Sequence, residues 1–319
     1  MKPFTRKKTI AIRNLISISL LFVTVLSSCN LPSQVVSASD NPADLPSEIL
    51  VAETQEEETP TTEPTVDEII VTPTNTVEPT PIVRDPSTWK EWPIYPQYLS
   101  ESMQEVYDYG LANGNDPHAF SILGDCHSLP EVFLGVYDTD LPTVQSLDLN
   151  LQETVAQFQG SFDRYSPTVV LGSTEGALLW IEWNENEEGY CLDNELPIDC
   201  EIRYHKPSIA FIRLGTHWET RNEDYLRILI EKLLENGTVP IITTKADNRE
   251  HDERINQNLA NLAVEYDLPV WNFWASVQDL PDKGLSGEDN MYLSMEAYAI
   301  QRIDGLIVLD WAYRALNND

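Results

Sequence analysis

Residues 119–133, which read AFSILGDCHSLPEVF, contain the strand-to-loop boundary on which the interpretation of the fold depends. The run AFSIL has the length and the unbroken apolar character of a strand that is buried on both faces. A glycine and an aspartate end the run, and Cys126, His127 and Ser128 follow directly. A thiol, an imidazole and a hydroxyl at a strand exit predict either a nucleophile turn or an ordinary corner between a strand and a helix.

Apolar segments of strand length alternate with amphipathic segments of helix length through the rest of the domain. This alternation predicts right-handed βαβ units, and hence an α/β fold whose parallel sheet of about five strands has helices on both faces. Ligands of such sheets bind beyond the carboxyl ends of the strands, where functional residues are therefore expected. The predicted strands are residues 119–123, 168–172, 207–215, 239–245 and 268–274, and the predicted helices are residues 100–112, 151–162, 219–237, 252–267 and 294–316.

Several functions are excluded by composition and by missing motifs. The formal net charge of −32 argues against nucleic acids and other anionic polymers as partners. No phosphate-binding loop, no dinucleotide glycine cluster and no Gly-x-Ser-x-Gly elbow follows a predicted strand. No cofactor is expected.

The first 28 residues have the pattern of a secretory signal peptide. Basic residues precede the apolar run LISISLLFVTVL, whose twelve residues are too few for a membrane span. The run ends in Leu26-Ser27-Ser28-Cys29, which resembles the lipobox of bacterial lipoproteins. The resemblance implies that Cys29 is lipidated and anchors the mature chain to a membrane outside the cytoplasm. The alternative is an ordinary signal peptide followed by an unrelated cysteine.

The segment from residue 29 to residue 85 is predicted to be a disordered, acidic tether. Residues 30–85 hold eight prolines, twelve acidic residues, one basic residue and no aromatic residue. Such a composition cannot bury enough apolar surface to offset the entropy of ordering. The remaining residues, 86–319, suit one α/β domain with a sizeable core.

The other three cysteines predict one disulfide and one free thiol. Cys191 and Cys200 bracket the loop CLDNELPIDC, and outside the cytoplasm a local disulfide between them is the simplest interpretation. No cysteine or histidine nearby has the spacing of a metal finger, so no metal site is expected. Cys126 is then left as an odd thiol.

Motifs at the strand exits resemble those of the SGNH, or GDSL, hydrolase superfamily. GDCHS at residues 124–128 is similar to the Gly-Asp-Ser block, LGTHW at residues 214–218 to the Gly-x-Asn block, and EDNMYLS at residues 288–294 to the Asp-x-x-His block. The glycine block fits at Gly172, or less well at Gly176. The resemblance extends over most of residues 115–319 and implies a three-layer, flavodoxin-like fold.

The resemblance also implies roles for single residues. In the family a serine attacks an ester, a histidine takes its proton and an aspartate orients the histidine. Cys126 stands in place of that serine, Tyr292 in place of the histidine and Asp289 in place of the aspartate. The oxyanion would be held by the amides of Gly172 and Cys126, while His217 stands where the family has its asparagine donor.

These replacements decide which chemistry remains available. A tyrosine hydroxyl with an ordinary pKa near 10 cannot act as a general base at neutral pH, which excludes the usual mechanism through Tyr292. His217 could instead reach Cys126 from the side opposite to Tyr292 and form a Cys–His dyad. Ser128 is an alternative nucleophile after a two-residue slip, or it caps the following helix. Cys126 could also be a small buried residue without a chemical role.

Two functions from different classes follow from this interpretation. The first is a surface-anchored ester hydrolase that acts on acyl or acetyl esters of extracellular glycans or lipids. The second is a catalytically inactive lipoprotein of the same fold that binds a carbohydrate or a partner at the cell surface.

Polar residues at the end of the fourth predicted strand, in TTKADN, lie at the edge of the sheet where the other strand exits meet. Lys245 and Asp247 would line a cleft there or pair with each other.

Overall fold

The computed structural model describes residues 84–186 and 188–317. The predicted signal peptide, Cys29 and almost all of the tether lie outside the described residues. At the start of the described chain, Arg84 donates a hydrogen bond to the carbonyl of Leu268 (2.8 Å) and stacks over Trp92. In the described ranges, no helix combines the length and the apolar composition that crossing a membrane requires.

Four parallel strands form the central sheet in the order β1-β2-β3-β4. The strands are β1 (Asp116–Gly124), β2 (Pro207–Arg213), β3 (Val239–Thr243) and β4 (Val270–Trp271), with a small antiparallel pair formed by β5 (Leu285–Ser286) and β6 (Tyr292–Leu293). The α-helices of the described residues are α1 (Glu101–Ala112), α2 (Val136–Thr139), α3 (Leu141–Gln145), α4 (Leu149–Gln157), α5 (Pro197–His205), α6 (Asn222–Glu235), α7 (Arg254–Glu265), α8 (Phe273–Val277) and α9 (Met295–Asn317). The predicted α/β class with a parallel sheet is confirmed.

The predicted second strand, residues 168–172, is reduced to a single parallel bridge. Val169 pairs with Gly124 on the side of β1 that does not face β2. The segment then turns away, because the amide of Ser173 bonds the carbonyl of Val170 and Gly172 takes a φ of 76°. The sheet therefore has four strands where about five were expected. With the bridge counted as a strand, the spatial order is the flavodoxin-like 2-1-3-4-5.

Helices cover both faces of the sheet, as predicted. All seven residues of β2 and all five of β3 are buried, and side chains of a strand point alternately to the two faces. Helix α5 contacts β1, α1 contacts β2 and β3, α6 contacts β3, and α4 packs against α9. The core between these layers is rich in aromatic rings, including Phe120, Phe211 and Trp271.

Two elements differ from the sequence prediction for local reasons. Strand β4 stops after two residues because Asn272 begins a helix. The Asn272 side chain accepts a hydrogen bond from the amide of Ala275 and donates hydrogen bonds to the carbonyls of Trp89 and Trp92.

Helix α5 was not predicted; it starts at Pro197 and contains Cys200. The predicted Cys191–Cys200 disulfide is confirmed, and links the preceding loop to this helix. A disulfide of this kind typically stabilises a fold by about 2–4 kcal/mol.

Candidate active site

A pocket lies where β1, β2 and β3 end, at the edge of the sheet where ligands of such folds bind. Its cavity volume is about 30 Å³. Its polar lining includes Asp125, His127, Arg213, Thr243, Lys245 and Asp247, and its apolar lining includes Leu214, Phe273, Leu285, Met291 and Leu293.

The turn after β1 brings three potentially reactive side chains together. Asp125 caps a short 3-10 turn over Cys126–Ser128, and its Oδ1 accepts a hydrogen bond from the amide of His127 (3.1 Å). The Cys126 sulfur, a carboxylate oxygen of Asp125 and a ring nitrogen of His127 lie within 4.8 Å of one another. Neighbouring side chains point apart in a strand, and only the tight turn lets His127 approach Cys126.

Both ring nitrogens of His127 are engaged. Nε2 lies 2.9 Å from the carbonyl oxygen of Met291, and Nδ1 lies 3.3 Å from the hydroxyl of Tyr298. Because a carbonyl only accepts, Nε2 must carry a proton, and in the neutral ring Nδ1 accepts from Tyr298. The Tyr298 hydroxyl must therefore turn away before Nδ1 can take a proton from another group.

The Cys126 thiol is protonated at neutral pH. Burial, and secondly the carboxylate of Asp125, raise its pKa to about 12. Within the described ranges the thiol makes no hydrogen bond to an imidazole. Because the sulfur is not hydrogen-bonded to the imidazole, direct proton transfer between them requires a shift of the side chains.

The other predicted site residues lie around this turn in different settings. His217 follows β2, is partly buried and forms no hydrogen bond with Cys126. Tyr292 on β6 is 45% exposed, and its ring makes an edge contact with His127 at a centroid distance of 6.4 Å. Asp289 is exposed, with a φ of 61°. The catalytic roles of these residues and of Cys126, and the oxyanion role of Gly172, stay predictions.

Ser128 has a setting that differs from that of an attacking group. It is 1% exposed, and its hydroxyl oxygen accepts a hydrogen bond from Nε of Arg213 (3.3 Å). A nucleophile needs an accessible oxygen and a base, whereas the partner of Ser128 is a cation. The geometry therefore argues against Ser128 as the attacking group.

Arg213 at the end of β2 is a site residue that the sequence reasoning missed. Its guanidinium is buried, donates to Oε1 of Gln301 (2.6 Å) and lies over the rings of Phe133 (4.0 Å) and Trp271 (4.7 Å). Burial lowers its pKa to about 9, so it remains charged at neutral pH. The signal in the sequence is a single charge inside the otherwise apolar run PSIAFIRLG.

Glu175 is a second missed residue. It is fully buried, and neither carboxylate oxygen has a hydrogen-bond partner among the described residues. Burial, and after it the carboxylates of Glu219 and Asp125, raise its pKa to about 7. The sequence signal is an acidic residue in GSTEGALL, between a strand exit and an apolar stretch.

Lys245 lies between two carboxylates after β3. Its ammonium contacts Oδ1 of Asp247 (2.8 Å) and Oε2 of Glu250 (2.5 Å), and all three side chains are buried. Thr216 after β2 donates to the other oxygen of Asp247 (3.0 Å), which ties two strand exits together. Lys245 and Asp247 thus both line the pocket and pair with each other.

Two groups in the described part of the chain have enough potential ligand atoms to suggest a metal site. In Asp125–Cys126–His127, both imidazole nitrogens already have hydrogen-bond partners, which leaves only one carboxylate oxygen and the buried sulfur. In Cys191–Glu195–Cys200, the two sulfurs are joined to each other. Metal binding needs free lone pairs and thiolates, so neither donor set fits a metal ion.

Comparisons with known proteins give similarity of fold. No protein-family model matches the chain, and no curated protein matches it. Among solved structures, it is similar to a GDSL-like lipase from Bacteroides thetaiotaomicron VPI-5482, with 13% identity and a TM-score of 0.39 over 66% of this chain and 97% of the other. It is also similar to a protein from Bacteroides fragilis NCTC 9343 named as an acylhydrolase, with the same identity and TM-score over 69% of this chain and 98% of the other. These matches are a likeness of architecture alone, and the chemistry of the site follows from this chain's own residues.

Proposed function

We propose that the domain is an ester hydrolase of the SGNH kind, in which Cys126 attacks an acyl or acetyl ester at the mouth of the pocket. The observation that carries this proposal is the convergence of a thiol, a carboxylate and an imidazole within 4.8 Å at the carboxyl end of β1. These are the groups that acyl transfer through a cysteine requires. His127 would then supply the base that the family has at the position of Tyr292.

The proposed reaction proceeds in two steps. His127 Nδ1, once released by Tyr298, takes the thiol proton, and the Cys126 thiolate attacks the carbonyl carbon of the ester. The alcohol leaves with the proton that His127 received, and a thioester remains on Cys126. Water then attacks the thioester with His127 as base, the acid is released and the proton returns to the sulfur. The amides of Cys126 and Gly172 are the proposed donors to the oxyanion.

His217 is the alternative base, approaching Cys126 from the side of β2. It would need to lie within hydrogen-bond reach of the sulfur when substrate is bound. The two histidines differ in their surroundings, because His127 is 8% exposed and held at both nitrogens whereas His217 is partly exposed. Substitution of each therefore tests one assignment separately.

A second candidate function is favoured by the resting state of the thiol. A pKa of about 12 for Cys126 and full occupancy of the His127 nitrogens describe a site without an activated nucleophile. On that basis the pocket would bind a carbohydrate or a cell-surface partner without turning it over.

Turnover of p-nitrophenyl acetate and acetylated xylan by the full chain distinguishes these functions. Cys126→Ala is expected to reduce kcat/KM by at least about a thousandfold, because the attacking atom is lost. Of His127→Ala and His217→Ala, the one that removes the base should lower kcat/KM by about 10²–10⁴-fold. The exposed His118 supplies the control, and His118→Ala should leave turnover unchanged. Turnover that survives Cys126→Ala would refute the thiol mechanism, and its absence in the unsubstituted protein would favour the binding function.

We also propose that the protein acts outside the cytoplasm, held on a membrane by lipid on Cys29, where acyl esters of glycans or lipids are its substrates. The apolar run that ends at Cys29 supports this proposal. In cells fed with an alkyne-tagged palmitate, Cys29→Ser should abolish labelling and move the protein out of the membrane fraction. Cys126→Ala should be labelled normally. Equal labelling of Cys29→Ser and the unsubstituted protein would contradict the anchor.

A further inference from the structure

Three residues that line the pocket carry buried atoms without a hydrogen-bond partner in the described chain. They are Oδ2 of Asp125, Nη1 of Arg213 and Oγ1 of Thr243. The residues are 1%, 8% and 3% exposed, respectively. Buried polar atoms of native proteins nearly always have a partner, which is protein, water or ligand. An acceptor, a donor and a hydroxyl left open around one pocket indicate a polar ligand group between them.

The charges around the pocket select the chemistry of that group. The positive Arg213 and the negative Asp125 face the same space, and their charges offset each other. Lys245 is already paired with Asp247 and Glu250. An added anion would meet the carboxylates of Asp125 and Asp247, and an added cation would meet Arg213. A neutral hydroxyl both donates to a carboxylate and accepts from a guanidinium, so it matches the open atoms without adding charge.

The size of the pocket limits what can enter. A cavity needs a volume of roughly 10–15 Å³ to hold a water molecule, and this pocket has about 30 Å³. A hydroxymethyl group therefore fits, whereas a sugar ring would remain at the mouth. Leu214, Phe273 and Leu293 supply apolar surface for the carbon atom of such a group.

We propose that this pocket binds the primary alcohol group of a neutral polyol or sugar, with its hydroxyl between Asp125 and Arg213 and within reach of Thr243. The inference deepens the proposed function, on which it rests for the placement of substrate at this edge of the sheet. It names the part of the substrate that the pocket holds. The alcohol could belong to a sugar hydroxymethyl group or to a glycerol unit, which present the same chemistry.

Binding to the full-length protein, measured by titration calorimetry, tests the proposal independently of turnover. The probes are methyl β-glucoside, its 6-deoxy analogue, glycerol and acetate. We expect saturable binding of the glucoside or of glycerol. If the glucoside binds, its 6-deoxy analogue should bind roughly tenfold more weakly, since a hydrogen-bonded hydroxyl is lost. Binding of the glucoside alone would identify a sugar as the source of the alcohol, and binding of glycerol alone would identify a glycerol unit.

Two substitutions and a matched control link the binding to the open atoms. Thr243→Val and Asp125→Asn keep the side-chain shapes and should each weaken binding about five- to tenfold. Ser276 on α8 also has a buried hydroxyl without a partner in the described ranges, but it does not line the pocket. Ser276→Ala should therefore leave binding unchanged.

Four results would overturn the inference. The first is the absence of saturable binding of either alcohol, which would mean that the pocket holds water alone, and the second is equal binding of the glucoside and its 6-deoxy analogue. The third is binding that survives both Thr243→Val and Asp125→Asn, and the fourth is tighter binding of acetate than of the alcohols. Ester turnover without alcohol binding would refute this inference and leave the hydrolase proposal standing. Alcohol binding without turnover would support the inference and refute the hydrolase proposal.

Discussion

Replacing Glu201 with alanine is expected to lower the free energy of unfolding by about 3–5 kcal/mol, the cost of breaking a buried ion pair. Glu201 on α5 is 1% exposed and forms charge-assisted hydrogen bonds with Arg164. Its carboxylate also accepts hydrogen bonds from Ser121 on β1 and from Ser166 (3.0 Å). Burial alone would raise the pKa of Glu201, but Arg164, together with His205 and Ser121, more than offsets this effect, and the net direction is downward.

The size of this effect comes from what the substitution leaves behind. Without the carboxylate, a largely buried guanidinium loses its counter-charge and two buried hydroxyls each lose one hydrogen bond at the junction of α5 and β1. The matched control is Glu265→Ala, which removes an equivalent carboxylate–guanidinium pair with Arg227 at the surface. Its expected cost is about 0–1 kcal/mol because solvent screens both charges. Urea unfolding of the full chain provides both values, and equal losses in the two variants would contradict the structural role given to Glu201.

Replacing Glu175 with glutamine is expected to stabilise the protein at alkaline pH. The raised pKa of Glu175, about 7 against an ordinary value of 4.5, means that the folded state resists ionising this carboxyl. Below pH 4.5 the group is neutral in both states and costs nothing. As the pH rises from 4.5 through 7, the unfolded state ionises first and stability is lost, and above pH 7 the full cost remains. The difference between the two values corresponds to about 3 kcal/mol.

The test compares unfolding free energies of Glu175→Gln and the unsubstituted protein across this pH range. The variant should be more stable by about 3 kcal/mol at pH 8, and the difference should vanish near pH 4.5. Glu182→Gln, at an exposed position in the same segment, should show no such trend. A constant difference between Glu175→Gln and the unsubstituted protein at all pH values would show that the carboxyl does not titrate upon unfolding.

Local sequence patterns predicted most of the helices and strands. The apolar runs predicted as strands at residues 119–123, 207–215 and 239–245 coincide with or contain most of β1, β2 and β3, although the latter two strands end two residues earlier than predicted, and α1 begins after the predicted cap Ser100. Helix α6 ends before Gly237, whose φ of 77° suits a glycine after a helix. These features depend on spacing and on single turns, which a sequence shows directly. The second strand failed as a prediction because strand length depends on which neighbour is available for pairing, and Val169 meets β1 at a single position.

The amino-acid sequence by itself determined the α/β class, the disulfide and the strand exit that carries Cys126, because these follow from hydrophobic spacing, cysteine arithmetic and turn residues. Only the tertiary structure decided that His127 approaches the thiol, and that the buried side chains of Arg213 and Glu175 interact electrostatically with Asp125. The reason is physical: the partners that set these environments, such as Met291, Tyr298 and Gln301, are more than 80 residues away in the chain. A pattern of residues encodes which side chains are buried, whereas the distances between them depend on how the layers pack.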